Sequence, residues 1–187
     1  MMTLILGGSG SGKSAYAEDY LLRVAGDKNK YYIATMQIRD AEMQAKVDRH
    51  HRLRQGKGFT TIEQPTELEQ MEPAGAVLLE CMSNLTANEM FSGEHPVDRQ
   101  TVIAKILQGM EGLRKQADPL VIVTNNVFED GMIYDDSTME YIEALGRINE
   151  RLAAEADEVV EVVAGIPQRI KPGSPGAKAQ NRQDSRG

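Results

Sequence analysis

A glycine-rich turn near the start of the chain constrains the fold more than any other feature. The P-loop pattern G-x-x-x-x-G-K-S/T is matched at every position by Gly7-Gly8-Ser9-Gly10-Ser11-Gly12-Lys13-Ser14. The apolar run Thr3–Leu6 before it is typical of a buried parallel strand, and apolar residues recur at helical spacing over Ser14–Ala25 after it. A turn without function can also join a strand to a helix, but this context is the one that phosphate binding requires. The sequence therefore predicts a nucleotide-binding protein.

The residue types of this turn each have a chemical purpose. Glycines permit positive φ and bring backbone N–H groups against phosphate oxygens. We expect the side chain of Lys13 to reach the β- and γ-phosphates as a catalytic group, and the hydroxyl of Ser14 to be a ligand for Mg²⁺. The whole turn is predicted to bind nucleotide, through Gly7, Gly8, Ser9, Gly10, Ser11, Gly12, Lys13 and Ser14.

Apolar strands alternate with helical segments along the rest of the chain. Strands are predicted at Tyr31–Thr35, Phe59–Ile62, Ala76–Cys81, Leu120–Asn125, Glu158–Val163 and Ile166–Lys171. Helices are predicted at Ala41–Arg54, Asn84–Phe91, Val97–Gln116 and Thr138–Ala156. This alternation favours an α/β fold of the P-loop NTPase (RecA-like) type, with a mostly parallel sheet and helices on both faces. We expect one domain over residues 1–171 and a disordered tail over 172–187, where apolar groups are too few to offset the entropy of ordering.

Composition excludes several functional classes. The net charge of −7 argues against non-specific nucleic-acid binding. No apolar run approaches the length of a membrane span, and the first residues lack a secretory pattern, so we expect a cytoplasmic protein. The single cysteine, Cys81, allows no internal disulfide and no cysteine-based metal cluster.

A second acidic residue is expected beside the turn. P-loop NTPases hold Mg²⁺ with the loop Ser/Thr and with an acid at the end of a neighbouring apolar strand. Glu80 follows the run Ala76–Leu79 and fits this position, whereas Asp157 and Glu158 precede their strand and belong to the opposite edge. We therefore predict Ser14 and Glu80 as metal ligands, the alternative being that Glu80 is a solvated residue at a strand end.

The predicted helix Ala41–Arg54 contains two adjacent histidines. Met43, Val47, His50 and Arg54 share one helical face, and neutral imidazole is a competent nucleophile near pH 7. Spacing alone favours the simpler interpretation, in which His50 is a core residue bonded to a backbone carbonyl and the arginines are solvated.

Segments after the P-loop add a more specific resemblance. They are, in order, Tyr32-Ile33-Ala34-Thr35, Lys46-Val47-x-x-His50-x-x-x-Arg54, Thr61-Ile62-Glu63-x-Pro65, Leu79-Glu80-Cys81, Val123-Thr124-Asn125 and Gly146-Arg147-Ile148-Asn149. With these segments, the chain from Met1 to about Lys171 resembles the bifunctional adenosylcobinamide kinase/adenosylcobinamide-phosphate guanylyltransferase family of cobalamin biosynthesis.

The resemblance implies a function in two steps. The aminopropanol hydroxyl of adenosylcobinamide is phosphorylated, and GMP from GTP then passes through a covalent histidine to that phosphate. It places the covalent role on His50, with His51 as the fallback, and implies Mg²⁺, GTP, ATP, a corrinoid partner and a homotrimer. Further nucleotide contacts implied by the resemblance are Ala34, Thr35, Met36, His51, Arg52, Leu53, Arg54, Glu63 and Glu80.

One departure from the family pattern keeps two other functions open. Asn126 follows Thr124-Asn125, where the family usually has a glutamate. Glu129 or Asp130 could substitute for that acid. The alternatives are a P-loop small-molecule kinase with another acceptor, and a nucleotide-sensing protein that has lost turnover.

Overall fold

The computed structural model describes residues 1–37, 44, 56–126, 132 and 134–173. Within these ranges the strands are β1 (Met2–Gly7), β2 (Lys30–Ala34), β3 (Phe59–Glu63), β4 (Gly75–Glu80), β5 (Ala117–Asn125), β6 (Glu158–Val163) and β7 (Ile166–Lys171). The α-helices described in full are α1 (Lys13–Val24), α2 (Met82–Phe91), α3 (Arg99–Gln116) and α4 (Asp136–Glu155). A short 3-10 turn at Leu68–Gln70 was not predicted.

The strands form one sheet in the order β3-β2-β4-β5-β1-β6-β7. All neighbouring pairs are parallel except β6 and β7, which are antiparallel. The chain reverses between these two strands at Ala164 and Gly165, whose φ values of 50° and 80° suit a tight hairpin. The prediction of a mostly parallel sheet is confirmed.

Apolar side chains are buried on both faces of the sheet. One cluster lies under α1 and includes Ile5, Leu21 and Val121. The other lies under the remaining helices and includes Leu79 and Ile148. Each fully buried side chain of this kind stabilises the fold by about 1.5–3 kcal/mol relative to exposure. The predicted α/β layers, with helices on both faces, are therefore confirmed.

Helix boundaries differ from the predictions by at most two residues where the helices are described, and capping explains two of these shifts. The carboxylate of Asp98 accepts hydrogen bonds from the backbone N–H groups of Gln100 and Thr101, so α3 starts at Arg99 instead of Val97. Asp135 accepts from the N–H of Thr138 and starts α4 in the same way.

Two predictions fall mainly or wholly on residues that the structure does not describe. Of the predicted helix Ala41–Arg54, the described residue is Gln44, which is helical. Of the predicted disordered tail, residues 174–187 lie outside the described ranges. Among the described helices, none is both long enough and apolar enough to cross a membrane.

Candidate active site

The phosphate loop joins the end of β1 to the start of α1. Its backbone turns through positive φ at Gly10 (72°) and Gly12 (89°), a region that glycine enters without steric cost. The backbone N–H of Gly165 donates to the carbonyl of Ser11 at 2.8 Å, so the β6–β7 hairpin braces the loop from outside. The sequence thus produces a fixed concave turn at the N-terminus of a helix, the geometry that binds phosphate groups.

The cation of the loop lies folded against its backbone. The Nζ atom of Lys13 donates to the carbonyl oxygen of Gly8 at 3.0 Å, and Lys13 is only 8% exposed. Burial lowers the pKa of Lys13, while the neighbouring Cys81 and Glu80 act in the opposite direction. A charge held out of water in this way interacts more strongly with an incoming phosphate.

The predicted metal ligands meet directly. The hydroxyl of Ser14 donates to one carboxylate oxygen of Glu80, and the hydroxyl of Tyr32 donates to the other at 2.7 Å. Mg²⁺ prefers oxygen ligands and is commonly held by one or two protein groups together with substrate phosphates. The Ser14–Glu80 pair fits that donor set. Within the described ranges, no group of three or more His, Cys, Asp or Glu side chains forms a separate metal site.

The end of β5 lies between the loop and the acid. Asn125 is in register with Gly7, and the next backbone N–H, of Asn126, donates to the carbonyl of Gly7 at 3.2 Å. The side-chain amide of Asn125 donates to the hydroxyl of Ser83 at 2.7 Å. The site predicted from the sequence did not include Asn125. The signal was present, because the carboxyl ends of parallel strands meet at one edge of the sheet.

The other predicted contacts on the β2 side occupy the same edge at increasing distance. Ala34 is in register with Glu80, and Glu63 is in register with Ala34 on the far strand β3. Because neighbouring strands are about 4.8 Å apart and β3 is four positions from β1, Glu63 is roughly 19 Å from the loop strand. Glu63 is exposed and Met36 is half-buried. Ala34 therefore lies beside the acid, whereas Glu63 lies at the periphery.

Thr35 has a structural role that sequence reasoning did not identify. It is fully buried, and its hydroxyl donates to the carbonyl of Cys81 at 2.8 Å while accepting from the N–H of the same residue at 2.7 Å. The amide of Asn88 donates to the carbonyl of Thr35 at 2.7 Å. These bonds fix the end of β2 against the end of β4 and so hold the backbone that carries Glu80.

Comparison with known proteins agrees with this geometry. Residues 3–170 match the model of the family described as cobinamide kinase / cobinamide phosphate guanyltransferase. The chain belongs to this family. Its members are kinases and nucleotidyltransferases, and the chain is an enzyme of that class.

Curated relatives extend over their full or nearly full length. The bifunctional adenosylcobalamin biosynthesis protein CobU of Escherichia coli (strain K12) is 35% identical over 189 residues, covering 91% of this chain and 100% of the relative. The protein of the same name from Salmonella typhimurium is 32% identical with the same coverage. The CobP protein of Pseudomonas aeruginosa is 28% identical, covering 91% of this chain and 98% of the relative.

A solved structure supports the fold. An ATPase domain of known structure is similar with a TM-score of 0.50 at 10% sequence identity, covering 86% of this chain and 68% of that domain. Together with the parallel sheet and the loop, this likeness agrees with the RecA-like P-loop fold predicted from the sequence.

The family's histidine segment falls outside the described residues. The predictions for His50, His51, Arg52, Leu53 and Arg54 all lie there and remain predictions.

The opposite edge of the sheet is occupied as the sequence led us to expect. Glu158 begins β6, accepts a hydrogen bond from the hydroxyl of Tyr20 at 2.6 Å and forms an ion pair with Arg169 at 3.0 Å. Its carboxylate is therefore engaged in structural contacts away from the phosphate loop.

Proposed function

We propose that this protein phosphorylates adenosylcobinamide with a nucleoside triphosphate and then transfers GMP from GTP through a covalent guanylyl-histidine, giving adenosylcobinamide-GDP. One observation carries the proposal: in a chain of this family, the loop lysine, Ser14 and Glu80 converge at one edge of the sheet. That arrangement suits two reactions that both require a bound triphosphate.

In the phosphorylation step, the acceptor hydroxyl attacks the γ-phosphorus. The new bond joins that oxygen to phosphorus, the bond to the β-phosphate oxygen breaks, the nucleoside diphosphate leaves, and the hydroxyl proton passes to a base. Lys13 and the backbone N–H groups of the loop stabilise the charge on the phosphoryl oxygens. When Mg²⁺ is bound, Ser14 and Glu80 would hold it, and it supplies further neutralisation of that charge.

In the nucleotidyl transfer, a nitrogen of His50 attacks the α-phosphorus of GTP. A nitrogen–phosphorus bond forms, the bond to the β-phosphate oxygen breaks, and pyrophosphate leaves. The loop holds the β- and γ-phosphates, which become this pyrophosphate. A phosphate oxygen of the phosphorylated corrinoid then attacks the same phosphorus, so that the imidazole is released and a diphosphate link forms.

The experiment is incubation of the purified protein with GTP labelled at the α-phosphate. We expect label on the protein that is acid-labile and base-stable, as a phosphoramidate requires. The label is expected to be lost in His50→Asn and retained in His95→Asn, a matched control because His95 is exposed and lies in the loop before α3. Addition of adenosylcobinamide phosphate should discharge the label.

The remaining outcomes decide between mechanisms. Loss of label in His51→Asn but not in His50→Asn would move the nucleophile by one residue. Absence of label on folded protein that still phosphorylates adenosylcobinamide would overturn the covalent mechanism. The resemblance also implies a homotrimer, which sedimentation of the purified protein tests independently.

A second candidate function rests on Asn126. This neutral side chain replaces the family's usual glutamate, and its backbone is fixed to Gly7 beside the loop. Tight GTP binding without formation of any corrinoid product would favour a nucleotide-sensing protein. Product formation from adenosylcobinamide and GTP would exclude it.

A further inference from the structure

Tyr32 contacts the acid of the candidate active site from the neighbouring strand. Its hydroxyl lies 2.7 Å from Oε2 of Glu80, while Oε1 of the same carboxylate accepts from Ser14. Both oxygens of Glu80 therefore have a defined donor, and the two donors come from different elements, β2 and α1.

The ring that carries this hydroxyl is held firmly. Tyr32 is 3% exposed and belongs to the apolar cluster under α1. Its ring meets that of Phe59 on β3 edge-on, with centroids 6.2 Å apart and an interplanar angle of 83°. A buried aromatic ring has few alternative rotamers, so packing fixes the position of the hydroxyl.

The strand register explains the contact. Tyr32 pairs with Leu78, two residues before Glu80, so a side chain as long as tyrosine can reach the end of β4 along the sheet. The N–H of Thr35 also donates to the carbonyl of Glu80 at 3.0 Å. Strand β2 and the residue that follows it thus hold both the carboxylate and the backbone of Glu80.

We propose that Tyr32 is a positioning residue that orients the Glu80 carboxylate, with Oε1 directed to the side of Ser14 where a phosphate-bound cation would be held. The inference rests on the proposed role of Glu80 as a metal ligand. A carboxylate that receives a hydrogen bond on one oxygen loses rotational freedom and presents the other oxygen in one direction. Outer partners of metal ligands typically contribute about 10–100-fold to metal affinity or activity.

The test compares Tyr32→Phe with Glu80→Gln and with Tyr31→Phe. The phenylalanine at residue 32 keeps the ring and removes one oxygen. Tyr31 is a matched control, because it lies on the same strand but packs against the cluster on the other face of the sheet. For each protein, the dissociation constant of a fluorescent, non-hydrolysable GTP analogue is measured with excess Mg²⁺ and again with EDTA.

We expect Tyr32→Phe to reduce the gain in affinity that Mg²⁺ produces by about 10-fold, with an unchanged dissociation constant in EDTA. Glu80→Gln should lose most of that gain, and Tyr31→Phe should behave like the parent protein. The affinity in EDTA also verifies folding, because it requires an intact loop.

Each other outcome overturns a defined part of this proposal. If Glu80→Gln keeps the full gain from Mg²⁺, the proposed metal ligand itself is wrong. If Glu80→Gln loses the gain but Tyr32→Phe keeps it, the positioning role is wrong while the metal ligand stands. If Tyr32→Phe weakens binding equally with Mg²⁺ and with EDTA, the hydroxyl acts on the fold or on the nucleotide and does not orient the carboxylate.

Discussion

Ser14 and Glu80 are 66 positions apart in the chain, and the hydroxyl of the first donates to the carboxylate of the second. The contact exists because β5 separates β1 from β4, so the loop after β1 and the acid at the end of β4 face each other across one intervening strand. Two residues joined in this way are expected to act as a unit on any ligand that they share.

That expectation is testable with variants at the two positions. Ser14→Ala and Glu80→Gln should each lower the rate of both proposed reactions by at least about 100-fold, the usual effect of removing a group that stabilises developing charge. The double variant should lose little more than the more impaired single variant, because residues that act as a unit are not additive. Steady-state rates of the four proteins measure this.

A control for these rates is available on the helical face far from the loop. Glu111→Gln removes an exposed carboxylate in α3 that pairs with Lys115, and it should leave both rates unchanged. Fully additive losses in the double variant would mean that Ser14 and Glu80 act on separate steps.

The loop and its acid could be predicted because their signals are local. A motif of eight residues fixes Ser14, and the rule that ligands lie at the carboxyl ends of strands selects Glu80 over Glu158. Tyr32 could not be predicted in the same way. Its contact with Glu80 spans 48 positions and depends on β2 lying next to β4, which the order of the strands along the chain does not supply.

Glu63 illustrates the converse difficulty. Resemblance placed it among the nucleotide contacts, and it does lie at the carboxyl end of a strand. Only the strand order reveals that this strand is at the sheet edge, with β2, β4 and β5 between it and β1. Periodicity identifies the strands, but their lateral order is set by long-range packing, so distance across the sheet is not readable from the sequence.

The packing around Gly7 predicts an effect on stability. An added Cβ at Gly7 would lie 2.6 Å from the backbone oxygen of Val162 and 2.6 Å from the hydroxyl oxygen of Ser11, whereas one at Gly8 would meet no atom within 4 Å. Gly7→Ala should therefore lower the free energy of unfolding by about 1–3 kcal/mol, as overpacking does. Gly8→Ala should change it by less than about 0.5 kcal/mol.

Urea unfolding without nucleotide measures both variants. The backbone carbonyl of Val162 belongs to β6 and cannot rotate away as a side chain could, so the difference between the two glycines should persist. Equal stability of the two variants would mean that the loop relaxes away from β6 at little cost.

A buried hydrogen bond holds the end of β5 against α4. The hydroxyl of Thr124, which is fully buried, donates to Oδ1 of Asn149 at 2.8 Å, and the amide of Asn149 donates to the carbonyl of Asn125 at 3.4 Å. Asn149→Ala should lower the free energy of unfolding by about 1–3 kcal/mol, because it removes the acceptor of a buried hydroxyl.

A double-mutant cycle separates this hydrogen bond from other effects. Thr124→Val removes the donor with little change of shape, so adding it to Asn149→Ala should cost less than it does in the parent protein. Denaturant unfolding of the four proteins gives the coupling. A coupling free energy near zero would show that water replaces the lost partner.

Two of the six tyrosines predict how stability changes in alkali. Burial, reinforced by the hydrogen bond that Tyr20 donates to Glu158, raises the pKa of Tyr20 to about 12. Burial, together with the nearby Cys81, raises the pKa of Tyr141 to about 12. In the unfolded chain a tyrosine titrates near pH 10. Between pH 10 and pH 12 the folded protein therefore retains protons that the unfolded chain releases.

Alkali should accordingly destabilise the folded protein. The stability that these groups contribute is complete below pH 10 and is lost as the pH rises towards 12, by about 1.4 kcal/mol per pH unit for each tyrosine. Unfolding measured from pH 9 to pH 12, with tyrosinate absorbance recorded on the folded protein, tests this. Tyr20→Phe should make the decline shallower by one tyrosine's share, because the phenyl ring keeps the packing but carries no proton to lose. An unchanged slope in that variant would mean that Tyr20 releases its proton at the same pH in both states.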